Sequence, residues 1–102
     1  MRKVTTKVDV FSFGIIVMEF LTKRRPTGFS ESTSLRDVVA KAVANGTEQL
    51  VSIVDPELIT KDHGEVLEEL FKLSLCCTLS DPERRPNMNE VLSALVKLNS
   101  AR

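Results

Sequence analysis

Any chemistry in this chain has to start from a single histidine, His63, two adjacent cysteines, Cys76 and Cys77, and scattered carboxylates. A nucleophilic device of the Ser-His-Asp or Cys-His kind needs a base held against its nucleophile. His63 sits instead in the polar stretch Lys61-Asp62-His63-Gly64, which reads as an exposed helix start. Neighbouring residues on a helix project about 100° apart, so Cys76 and Cys77 do not have metal-ligand spacing, and core packing accounts for Cys77. The tripeptide Ser12-Phe13-Gly14 differs from the magnesium-holding Asp-Phe-Gly sequence by the loss of the carboxylate, and it lies inside an expected helix. No G-x-G-x-x-G or G-x-x-x-x-G-K-[ST] loop is present to cradle phosphates. The expectation is therefore that the chain has no catalytic, cofactor-binding or metal-ligating residue of its own. Two residues still stand out. Asp9 opens an apolar segment, where it either closes a cap or meets another partner. Arg85 lies between a turn and a proline among apolar stretches, where it is either a surface residue or a buried one.

Composition narrows the function classes. With 102 residues, 42% apolar and 27% charged, the chain suits one small globular unit. Fourteen basic and fourteen acidic side chains cancel, which argues against bulk attraction to nucleic acid or anionic lipid. The longest apolar stretch, Val10 to Leu21, is interrupted by Ser12, Gly14 and Glu19 and is shorter than the roughly 20 residues that cross a bilayer. Neither a membrane span nor a signal peptide is expected, and adjacent cysteines fit a reduced, cytoplasmic setting.

The elements that would position Asp9 and Arg85 are helical. Thr6 and Asp9 have capping-box spacing, so a helix is predicted from Thr6 to about Lys23, with Asp9, Ser12, Glu19 and Thr22 in one narrow polar sector, apolar on nearly every other side and ended by Lys23-Arg24-Arg25-Pro26. Residues 27–33 read as a loop. Ser34 and Asp37 cap a second helix with Leu35, Val38, Val39, Ala42 and Val43 on one face, stopped by Asn45-Gly46. Glu48 to Thr60 is expected to be an irregular apolar connector. A third helix spans about Asp62 to Thr78, with Val66, Leu70, Leu73 and Cys77 inward. Asp81-Pro82 begins a short helical turn, and Asn87 with Glu90 caps a fourth helix carrying Met88, Val91, Leu92, Leu95 and Leu98. The fold class is mainly α, with about four main helices.

The segment from Asp9 through Thr22, DVFSFGIIVMEFLT, resembles the αF helix of eukaryotic protein kinases, in the D-V-[YF]-S-F-G form of plant receptor-like kinases. Further segments agree in order. Arg25-Pro26 resembles the exit from αF, Val54-Asp55-Pro56-Glu57-Leu58 resembles the connector before αH, and Cys77-Thr78, Pro82, Arg85-Pro86, Met88 and Val91 resemble the signature that closes the domain. Arg2 to Thr6 with Lys7 is similar to the approach to αF in leucine-rich-repeat receptor kinases of the flagellin-sensing type.

The resemblance implies a helical C-lobe fragment of the protein-kinase-like fold, αF to αI, over residues 1–102. The N-lobe, catalytic loop and activation segment are not among these residues. It implies that Asp9 accepts hydrogen bonds from the catalytic-loop backbone and that Arg85 pairs with the glutamate of A-P-E. It further implies that αG, here Ser34 to Asn45, docks proteins, with Arg36 and Lys41 as candidate contacts. The parent activity would be protein phosphorylation at the plasma membrane with ATP and magnesium. H-R-D, D-F-G and A-P-E do not occur in the 102 residues, so the chain alone is expected to be inactive. The expected partner is the remainder of a kinase domain or another kinase. The alternative is a helical decoy acting through the αG and αH surface. Without its carboxylate, a buried Arg85 would cost on the order of 3–5 kcal/mol.

Overall fold

The computed structural model describes residues 6–23, 35–59 and 64–100. They form five helices, α1 (Lys7–Thr22), α2 (Leu35–Asn45), α3 (Thr47–Ile53), α4 (Gly64–Cys77) and α5 (Met88–Ser100), with 3-10 turns at Pro56–Leu58 and Pro82–Arg84. The described residues contain no strand. The expected basic cluster at Arg24-Arg25, the Ser34 cap and the His63 position lie outside them.

Capping sets two of the helix starts as expected. Thr6 Oγ1 accepts from the Asp9 N–H and Asp9 Oδ2 accepts from the Thr6 N–H, both at 3.2 Å. Asn87 and Glu90 repeat the exchange at the head of α5, at 2.8 Å each way. Each pair satisfies two N–H groups that have no partner within the helix. Lys23 lies just beyond α1 in the left-handed region, with φ 57°, rather than in the last turn as the sequence suggested.

α1 is the central element, flanked mainly by α4. Val10, Gly14, Met18 and Thr22 are buried along one side of it, the four-residue spacing that forms a ridge, with Leu21 buried beside them. Gly14 is what permits the close approach. A Cβ built there would lie 2.7 Å from Thr78 Cγ2, 2.8 Å from Cys77 Cβ and 2.9 Å from the Ser74 carbonyl oxygen. The main core joins Met18, Leu21, Leu35, Val39, Ala42, Leu50, Val54 and Phe71, and a smaller one joins Val10, Cys77 and Val91.

The expectations for the connector, for α4 and for Thr22 are corrected. The connector after Gly46 is not irregular but contains α3. Asn45-Gly46 does end α2, yet Gly46 at φ 104° turns the chain and becomes the cap of a new helix, which buries Leu50 and leads into buried Val54. Only glycine takes such a conformation at low cost. The inward side of α4 includes Cys77, with Leu70 and Leu73 partly buried against the two cores, but it is centred on Phe71, Ser74 and Cys77; the buried Ser74 hydroxyl is satisfied by donating to the Phe71 carbonyl at 2.7 Å. The apolar circumference read for α1 is left open on one side, where Val8, Ile16 and Phe20 are 69%, 58% and 67% exposed. Thr22, placed by periodicity in the polar sector, is buried and donates to the Met18 carbonyl.

Candidate scaffold site

Asp9 and Arg85 belong to one neighbourhood, the amino end of α1 against the turn before α5. Asp9 is exposed and serves as the reciprocal cap on Thr6. Arg85 is half-buried at the end of the Pro82–Arg84 turn. Its Nε donates to the Leu79 carbonyl at 2.7 Å and its Nη1 to the Lys7 carbonyl at 3.0 Å, while the guanidinium carbon lies 4.8 Å from the centre of the Phe11 ring. No carboxylate pairs with Arg85 among the described residues. The uncompensated cost expected for a severed ion pair is thereby reduced: carbonyl oxygens and an aromatic face take up part of the charge, and the exposed side remains hydrated. Lys7 completes the neighbourhood by donating from Nζ to the Arg85 carbonyl at 2.9 Å and the Pro82 carbonyl at 3.1 Å. Sequence reasoning missed Lys7. Its only signal was a lysine one residue after a cap, a place where the helix dipole does not favour a cation.

The two candidate docking residues on α2 part company. Lys41 is exposed. Arg36, expected to be exposed as well, is half-buried and donates through Nε to the Thr78 carbonyl at 2.9 Å and to Thr78 Oγ1 at 3.0 Å. It ties α2 to the end of α4, because Thr78 follows the last turn and its carbonyl has no donor within the helix. Between α2 and α3 an open groove of about 460 Å³ is lined by Asp37, Val38, Lys41, Asn45, Gln49 and Ile53.

The remaining reactive groups are structural. Burial, with a smaller contribution from Cys76, pushes the Cys77 thiol up to about 11, the opposite of an activated nucleophile. Asp55 is buried, accepts from the Glu57 N–H at 3.1 Å and faces Lys23 Nζ at 3.8 Å, while its own N–H donates to the Leu21 carbonyl at 2.7 Å. The Val54-Asp55-Pro56 connector thus closes onto the end of α1. Among the described residues no cluster of three or more His, Cys, Asp or Glu side chains could hold a metal ion. No helix is long and apolar enough to cross a membrane among them.

A sequence model described as protein tyrosine and serine/threonine kinase matches residues 1–95. The chain belongs to this protein kinase family. Its relatives include the leucine-rich repeat receptor protein kinase EMS1 of Arabidopsis thaliana, 34% identical over 94% of this chain and 8% of that protein. The LRR receptor kinase SERK2 of Oryza sativa subsp. japonica is 38% identical over 91% of this chain and 16% of that protein. This kinase fragment therefore spans only a small part of the length of such relatives. Its fold is similar to the pseudokinase domain of BIR2, described as an immune regulator of the RLK/Pelle family. The TM-score is 0.81 at 22% identity, covering 97% of this chain and 30% of that one. The order of motifs around αF and the helical C-lobe architecture are those of the kinase family.

Proposed function

We propose that this chain is the helical scaffold of a receptor-like serine/threonine kinase C-lobe and that the 102 residues alone do not transfer phosphate. The observation that carries the reading is the uncovered side of α1. In a small protein a helix packs its apolar residues inward, yet Val8, Ile16 and Phe20 stand in water on the element that forms the centre of the fold. Such a surface suits a helix built to be packed from a further side by kinase residues outside these 102. Phosphoryl transfer is positioning and charge stabilisation by a glycine-rich loop, a lysine, a catalytic aspartate and bound magnesium. ATP and magnesium would be held by that remainder, on the cytosolic side of a plasma-membrane receptor. Asp9 and Arg85 serve as supports for it, not as reacting groups. The test is an ATP-dependent phosphorylation assay with the 102-residue chain and a generic protein substrate. Incorporation equal to a no-protein control supports the reading, and incorporation above it that survives repurification overturns it.

The groove between α2 and α3 favours a second reading, in which the chain binds a kinase or a kinase partner as a decoy. Exposed Lys41 at its rim is the discriminating residue. Capture of a full-length receptor kinase by the chain, abolished by Lys41→Glu, would support the decoy. Equal capture by both forms, or none, would remove it.

A further inference from the structure

Lys7 and Arg85 hold one another across 78 positions of sequence. The Lys7 ammonium takes the carbonyls of Arg85 and Pro82, and the Arg85 guanidinium takes the carbonyl of Lys7. A lysine can gather two carbonyls at once because its long stem carries three rotatable donors. A guanidinium has five N–H groups. Leu79 and Lys7 engage Nε and one hydrogen of Nη1, and the Phe11 ring covers a face. The other three N–H groups have no protein partner among the described residues, and a carboxylate takes two parallel ones. We infer that Lys7 is a positioning residue for Arg85: by drawing the Pro82–Arg85 backbone to the amino end of α1, it presents the guanidinium already oriented for a carboxylate. The inference rests on the scaffold reading of Arg85, since it names the class of group, a carboxylate from the rest of the kinase domain, that the site receives.

The guanidinium's own N–H signal is the readout. In a nitrogen-proton spectrum of the chain, the Nε–H groups of Arg36 and Arg85 are both expected to exchange slowly with solvent, and the slow signal that vanishes in Arg85→Lys is assigned to Arg85. In Lys7→Met that signal is expected to exchange about tenfold faster or more, the scale of losing one hydrogen bond from a charged group. Backbone amides of α2 and α3 should keep their protection, and Lys7→Arg, which retains donors, should restore the slow signal. Unchanged Arg85 exchange in Lys7→Met overturns the inference. So does a loss of protection or of folding spread over the whole chain, because Lys7 would then be holding the fold in general and not the guanidinium. Phosphorylation by the isolated chain would instead overturn the scaffold reading and leave the dependence of Arg85 on Lys7 standing.

Discussion

At the residue scale, Gly14 is the position with least room for change. An added methyl would meet Thr78 and Cys77 side chains and the Ser74 carbonyl below 3.0 Å, and a backbone oxygen cannot swing away as a side-chain end can. Gly14→Ala is expected to destabilise the chain by about 1–3 kcal/mol, the range for overpacking, read as a lower urea midpoint with an unchanged slope. The two cysteines should separate cleanly. Cys76 is exposed, whereas Cys77 is buried with its thiol pushed up to about 11. A pKa above the ordinary value means that thiolate is scarce at pH 8 and increases only as pH rises toward 11. Mild alkylation at pH 8 should therefore give one adduct, at Cys76, by peptide mass. Two adducts of equal yield would show that α4 opens. Much of this scale was legible in the sequence, because Thr6 with Asp9 and Asn87 with Glu90 are local devices whose partners lie three residues apart. Lys7 was not, because its partners lie 75 and 78 positions away. Arg36 was misread for the same reason: a cation on an amphipathic helix looks solvated until Thr78 is brought to it.

At the scale of elements, spacing gave the type of four helices and little about their environment. α3 was missed because Gly46 reads equally as a stop for α2 and as a turn into something new, and seven residues carry too little periodicity to decide. α5 depends on its cap and on a thin contact through Val91, the one fully buried side chain of that helix among the described residues, while Leu92 and Val96 stay 54% and 64% exposed. Asn87→Ala is expected to cost about 1 kcal/mol, the usual loss of an N-cap. Hydrogen exchange should show it as faster opening of residues 88–92 with α2 unchanged. α4 has a firmer hold: Phe71 is fully buried at the junction with α1, α2 and α3. Phe71→Ala is expected to remove about 3–5 kcal/mol, comparable with the lower end of a small domain's whole stability, so cooperative melting should be lost or reduced to a broad transition.

Across the whole molecule the governing fact is an apolar side left open on the central helix. Replacing Ile16 and Phe20 together by lysine should leave helicity unchanged, since both side chains project into solvent, and should lower dye binding and light scattering at high concentration. If that double variant unfolds instead, those side chains are packed in solution and the reading of α1 as uncovered is wrong. Family membership was readable from motif order alone, because Asp9-Val10-Phe11-Ser12-Phe13-Gly14 and Arg85-Pro86 bracket the chain in the kinase sequence of events. How Arg85 fares without a carboxylate was not readable, because the answer lies in two carbonyls and a ring assembled by tertiary packing. The most direct measurement is a calorimetric titration of the purified chain with magnesium-ATP. Heats indistinguishable from dilution are expected of a scaffold that holds none of the nucleotide-binding groups. A saturable, magnesium-dependent binding heat with one-to-one stoichiometry would contradict the account.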